Sequence, residues 1–189
     1  MPEQLTVEEK NSLLWYARQA LEKGVLGKSL EKIDIATLSE TLRKPGASFV
    51  TLTIRAELRG CIGTLEAYQP LVEDVRQHAV DAAIHDYRFM RVQPHELKSI
   101  KIEISHLTNP EALDYSDTHD LLTRLRPGVD GVILRDGNHK ATFLPQVWEK
   151  LPDPIMFLNR LCDKMGSPAD TWRNKHLSVA IYQVEDFHE

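Results

Sequence analysis

The chain of 189 residues has little of what staples small folds or breaks up extended ones: two Cys, nine Gly and ten Pro. Cys61 and Cys162 form no CxxC pair and no ligand-spaced cluster, which argues against a disulfide framework or a zinc knuckle. With 42% hydrophobic and 27% charged residues, the composition excludes collagenous, disordered and low-complexity chains. No segment approaches the roughly 18 apolar residues of a membrane span, and Met1-Pro2-Glu3-Gln4 lacks the cationic flank and apolar run of an export leader. No N-x-S/T sequon occurs, so a cytoplasmic protein without a membrane partner is expected. Basic residues are the minority charge, 23 Lys and Arg against 28 Asp and Glu, for a formal net charge of −5. That disfavours a broad footprint on duplex nucleic acid and leaves room only for a local basic groove.

Several catalytic signatures are missing as well. Gly24 to Lys28 lacks the spacing of a phosphate-binding loop, and no G-x-S-x-G elbow occurs. His95-Glu96 is followed by Leu97-Lys98-Ser99, so the zincin pattern fails. The eight His offer no two-His-one-carboxylate spacing either. Neither a catalytic metal nor a cofactor is expected.

What is present is an ordinary amphipathic alphabet. Thr6 and Glu9 spell a capping box before a helix that buries Leu13, Ala17, Ala20 and Leu21 and stops at Gly24. Thr37 and Glu40 suggest a shorter helix ending before Pro45-Gly46. Residues 48–54 read as a strand with Val50, Leu52 and Ile54 on one face. After Arg55-Ala56-Glu57, a second strand through about Gly60 to Leu65 completes an antiparallel hairpin. Pro70 opens a helix burying Leu71, Val75, Ala79 and Ala82 or Ala83, with Glu73, Asp74, Arg76 and Gln77 outside the stripe. Ile100, Ile102 and Ile104 alternate along a half-buried strand, with Glu103 and Ser105 on its other face. A helix over 117–126, a hairpin around Asp136-Gly137-Asn138, a helix over 154–165 and one strand within 177–187 complete the chain. No strand-helix-strand period recurs, so the fold class is α+β, mainly antiparallel sheet flanked by helices. The chain reads as a single domain over 1–189. A smaller lobe from about 67–100 is suggested where a helix and loop interrupt the hairpins.

The most unusual stretch is Leu58-Arg59-Gly60-Cys61-Ile62-Gly63-Thr64. On an extended backbone Arg59 and Cys61 share a face, where a guanidinium would favour the thiolate as nucleophile or ligand. Gly60 and Gly63 lack the Cβ atoms that would keep a ligand from the main chain. The plainer alternative makes Cys61 a small buried hydrophobe and the glycines a bulge. Cys162 lies on an apolar helical face and is expected to pack.

The run LRGCIGTL at 58–65 resembles the signature of the AMMECR domain family, which includes protein A of the AmmeMemoRadiSam system. Five further blocks match in order: AAIHDYRF at 82–89, ELKSIKIEIS at 96–105, PGVDGVIL at 127–134, TFLPQVW at 142–148 and FLNRLCDKMG at 157–166. The resemblance spans about residues 10–187. Where the family pattern usually reads Asp-Pro-Arg-Phe, this chain has Asp86-Tyr87-Arg88-Phe89.

The resemblance implies two unequal lobes with a cleft between them lined by the motif residues, and it implies no settled activity. It implies as partners a Memo-like protein of the extradiol-dioxygenase fold and a radical SAM enzyme, in a pathway that modifies a nucleotide, an RNA or a protein. Carried over residue by residue, Arg59 and Cys61 are the candidate catalytic pair, while Gly60, Gly63, Asp86, Arg88, Phe89 and Gln146 are candidate binding residues. Arg88 reads as an anion clamp oriented by Asp86, Phe89 as a packing or stacking ring, and Gln146 as a hydrogen-bonding side chain. A surface ion pair for Asp86 and Arg88, and a helix start packing Trp148 for the later block, are the structural alternatives. Two functions stand side by side: a thiol-dependent enzyme or enzyme subunit, and a non-catalytic adaptor that uses the same residues to bind a nucleotide, RNA or a protein.

Overall fold

The computed structural model describes residues 4–189, and the reading of Met1 to Glu3 falls outside them. In chain order the elements are α1 (Val7–Val25), α2 (Glu40–Arg43), β1 (Pro45–Ile54), β2 (Glu57–Gly63), β3 (Gln69–Pro70), α3 (Leu71–Ile84), β4 (Ile100–Leu107) and β5 (Glu111–Ala112). They continue with α4 (Thr118–Arg124), β6 (Gly131–Asp136), β7 (His139–Phe143), α5 (Pro154–Met165), α6 (Thr171–Asn174), β8 (Ser178–Tyr182) and β9 (Val184–His188). Short 3₁₀ turns lie at Ile35–Thr37, Pro94–Ser99 and Pro145–Glu149. The α+β class holds, and β1 pairs antiparallel with β2, β3 and β4, as does β8 with β5 and β6, and β6 with β7.

The chain divides into two compact units, one running up to Thr108 and taking back Glu185–Glu189, the other Asn109–Val184. In the first, strands run in the order β2-β1-β4-β9, with β3 also paired to β1. Val50 and Leu52 of β1 and Ile102 and Ile104 of β4 are fully buried on one face, against Leu13, Ala17 and Leu21 of α1 and Leu71, Val75 and Ala79 of α3. The capping box forms as expected, Thr6 Oγ1 accepting from the Glu9 amide and Glu9 from that of Thr6. Residues 67–100, where a smaller lobe was suggested, belong to this unit, with α3 packed against both α1 and β1.

That double packing corrects the expected polar face of α3. Asp74 and Arg76 are both buried, because α3 is covered from two sides and a single apolar stripe is too narrow to serve both. Their polar groups find partners: Ser48 Oγ donates to Asp74 Oδ2 at 2.7 Å, and Arg76 donates to the Glu73 carboxylate and to the Glu31 carbonyl. The short helix expected from Thr37 starts later, with Ser39 at the N-cap of α2, and Thr37 instead closes a 3₁₀ turn capped by Asp34.

The second unit has its own sheet, ordered β5-β8-β6-β7, and its own core. Trp148 stacks on Phe157 with centroids 3.6 Å apart, and Cys162 and Leu161 of α5 are fully buried beside them. Gly166 ends α5 in the left-handed conformation, φ 80°, that a helix stop of this kind needs. The single strand expected within 177–187 is two: β8 belongs to this sheet and β9 to the first. No Gly or Pro marks the break at Gln183.

Candidate functional site

β2 is one edge strand of the first sheet, and it is irregular where the signature lies. Leu52 pairs with Gly60 but Thr53 with Leu58, so Arg59 is an extra residue, a β-bulge. The bulge breaks the two-residue alternation by which Arg59 was expected to face Cys61. The Arg59 guanidinium instead meets Glu96 in a two-bond pair, Nε to Oε1 at 2.8 Å and Nη2 to Oε2 at 3.0 Å, while Nη1 donates to the Met90 carbonyl at 2.8 Å. Its charge is compensated there, and the expected Arg59–Cys61 activation loses its geometric basis. Glu96, whose carboxyl is lowered from its ordinary value chiefly by Arg59, is a partner that sequence reading missed. Its only local trace is the spacing Gln93-x-x-Glu96, in which the Glu96 carboxylate caps the Gln93 amide.

The glycines also differ from expectation. A methyl at Gly60 would lie 2.0 Å from the Ala82 carbonyl oxygen, and one at Gly63 would lie 2.3 Å from the Phe49 ring and 2.4 Å from the Ser48 carbonyl oxygen. The missing Cβ atoms therefore let β2 approach α3 and β1, and the space they leave is filled by protein. A ligand gains no access to the main chain through them.

Cys61 pairs across the sheet with Thr51, which pairs in turn with Glu103, so the three share the face opposite the buried aliphatics. Thr51 Oγ1 donates to Cys61 Sγ at 3.3 Å, and the thiol-bearing residue is half-buried. Ser105, on the same face, donates to Asp186 Oδ1 at 2.5 Å.

The second block closes over this strand. Asp86 is 4% exposed, and both of its oxygens are used. Oδ2 accepts the Cys61 amide at 2.9 Å and Arg88 Nη2 at 2.7 Å, while Oδ1 accepts the Arg88 amide at 3.1 Å and Nε at 2.9 Å. Arg88 Nη2 then donates to the Cys61 carbonyl at 3.1 Å. Together the two side chains hold the amide and the carbonyl that this edge residue turns away from β1. They do so with charge-assisted bonds, the strong kind. Arg88 holds the Asp86 carboxyl far below its ordinary range, and Asp86 in turn raises Arg88.

Tyr87 stands where the resemblance leads to an expectation of proline. The turn is closed without it, by Phe89 N–H to the Asp86 carbonyl at 3.1 Å and by Asp86 Oδ1 on the Arg88 amide, an Asx turn. The Arg88 guanidinium lies 5.5 Å from the Phe89 ring centre. Tyr87 is 94% exposed and Met90 86%.

The structure thus brings Cys61, Asp86, Arg88 and Phe89 into one cluster, puts Arg59 on a neighbouring pair and gives Gly60 and Gly63 to packing. Gln146 belongs to the second unit, in the turn Pro145–Glu149. In that turn Pro145 and Trp148 are buried, and the indole N–H donates to the Asp130 carbonyl at 2.8 Å, as the packing alternative had it. Cys162 is fully buried, and burial pushes its thiol up. Among the described residues, no three His, Cys, Asp or Glu side chains come together as a metal-binding group, and no helix is long and apolar enough to cross a membrane.

The AMMECR1 family model matches residues 14–187. A protein of Methanothermobacter thermautotrophicus is 37% identical over 98% of this chain and 96% of its own length. One from Methanopyrus kandleri is 36% identical over the whole of this chain and 92% of its own. The crystal structure of uncharacterized protein PH0010 from Pyrococcus horikoshii superposes with a TM-score of 0.83 at 31% identity, covering 98% of this chain and 93% of that one.

Proposed function

The chain belongs to the AMMECR1 family, and on that premise we propose that it is a protein-binding adaptor whose contact surface is the loop that follows α3, fastened to strand β2. The partners proposed are a Memo-like protein and a radical SAM protein, in a modification pathway. The observation that carries this reading is the pairing of exposure with fixation. Tyr87 and Met90 are 94% and 86% exposed on a loop tied down by Asp86, Arg88 and Arg59. A stiff loop loses little freedom when a partner covers it, and aromatic and Met side chains are the types enriched at interface centres. The two arginines that a small anionic substrate would need already hold carboxylates, which weighs against a nucleotide or RNA as the ligand of this surface.

The test is binding of purified Memo-like and radical SAM proteins from the same organism to the immobilised chain. Replacing both Tyr87 and Met90 by Ala should weaken binding by about tenfold or more, and Cys61→Ser should leave it unchanged. Binding that ignores the double variant, or binding of an oligonucleotide in place of either protein, overturns the proposal.

A second reading has one observation in its favour. Cys61 is only half-buried, and Thr51 Oγ1 donates to its sulfur. A thiol-dependent step would then proceed at Cys61 without Arg59. Loss of pathway activity in Cys61→Ser with partner binding intact favours this reading.

A further inference from the structure

A pocket of about 250 Å³ lies elsewhere in the first unit, between α1, the strap of residues 26–39 and Arg76 of α3. From its lining we infer that it takes an aromatic α-amino acid as the free zwitterion. Three observations converge on that class.

The first is the aromatic wall. Trp15 is 57% exposed on α1, and Tyr16 meets it edge to face with ring centres 4.9 Å apart. Most of the indole is therefore left open beside an apolar floor of Ala20, Leu30 and Ile33, as a site for a flat ring requires.

The second is that the strap is fixed without a ligand. Arg76, with only 8% of its side chain exposed, donates Nη2 to the Glu31 carbonyl at 2.6 Å, and Lys23 pairs with the Glu31 carboxylate at 2.6 Å. Leu30 and Ile33 pack against the core. The cavity is a formed feature of the fold, and its size admits a ring with a short polar tail.

The third is what remains after these pairs are counted. Arg76 is neutralised by Glu73 and Lys23 by Glu31, which leaves Lys32 and Asp34 as the lining charges without an ion-pair partner among the described residues. One cation and one anion in the lining, together with an aromatic wall, match a carboxylate and an ammonium carried by one small aromatic molecule, with Asp34 keeping its bond from the Ala36 amide. A peptide end offers only one of the two charges beside its terminal ring. The free amino acid satisfies both.

The test is acrylamide quenching of tryptophan emission in the full chain. Trp148 and Trp172 are 2% exposed, so the quenchable emission belongs to Trp15. Phenylalanine should protect that emission, while N-acetylphenylalanine and phenylalanine amide, each missing one charge, should need about fivefold higher concentration. Lys32→Ala should abolish the preference over the amide. Asp34→Asn, which keeps a side chain able to cap the 3₁₀ turn, should abolish the preference over the N-acetyl compound. Quenching unchanged by millimolar phenylalanine, or equal protection by all three compounds, overturns the assignment.

Discussion

The molecule contains two antiparallel hairpins of opposite character. β6 and β7 pair without interruption from Val132 opposite Phe143 to Asp136 opposite His139, around Gly137-Asn138, with Gly137 at φ 57° as a two-residue turn demands. β1 and β2 meet around Arg55-Ala56, both at positive φ, 53° and 65°, where neither residue is favoured. The β1–β2 pairing then slips at Arg59, and β2 is fastened from outside by Asp86 and Arg88. One hairpin follows local rules throughout; the other departs from them at its turn, its register and its edge. The departures coincide with the signature block and with the half-buried thiol. Irregularity held in place by surrounding structure is common where function sits, and here it points to the first hairpin.

The sharpest way to break this contrast is Asp86→Ala. It strips the Cys61 and Arg88 amides of their acceptor and leaves a guanidinium unpaired, so urea unfolding should register a loss of about 3 kcal/mol. Because Asp86 is depressed in the native state, its contribution is fully present above the ordinary carboxylate range and lost as pH falls through the native value. The stability gap between wild type and Asp86→Asn should therefore be constant near neutrality and narrow progressively once pH falls below the ordinary carboxylate range. Gly60→Ala comes next, since its methyl collides with main chain that cannot rotate away. A loss of about 2 kcal/mol is expected, with displacement of β2 from α3 visible in amide shifts. Giving the first turn residues that suit two successive positive φ angles, Arg55-Ala56→Asn-Gly, should stabilise by about 1 kcal/mol in the same denaturation measurement. Smallest is Cys61→Ser, about 0.5 kcal/mol or less, because the site is half-exposed and has Thr51 as a polar neighbour. A loss as large as that of Asp86→Ala would make Cys61 a core residue and erase the distinction.

Local periodicity carried most of the architecture. The capping box at Thr6, the alternation of Ile100, Ile102 and Ile104, and the helix stop at Gly166 each depend on residues a few positions apart, and each is found where expected. The α3 polar face failed because its burial is decided by α1 and β1, elements far away in sequence. The site divides in the same way. Cys61, Asp86 and Arg88 were legible as motif residues, but their bonding was not. An unpaired residue at Arg59 cannot be seen until β2 is aligned on β1, and without it nothing local joins Arg59 to Glu96, 37 positions away, beyond the Gln93-x-x-Glu96 spacing around Glu96 itself. Glycine identity was legible at 60 and 63 while its reason was misread, since close approach to Ala82 or Phe49 and close approach to a ligand leave the same trace in a sequence.

The placement of β9 bears on the order in which the molecule can be made. The first sheet takes the strand beyond β4 from Val184–His188, and the same segment anchors α1, with Glu185 accepting the Leu5 amide and pairing with Lys10, and Glu189 pairing with Arg18. Residues 108–183 must be synthesised between β4 and the strand that covers it. At ordinary elongation rates that interval is about 4 to 15 s, long compared with the folding of a small domain. During it β4 presents an open edge and α1 lacks its C-terminal anchors. The second unit is contiguous and has its own core, so it can complete its fold first, and the N-terminal half of the chain becomes the last part of the protein to finish.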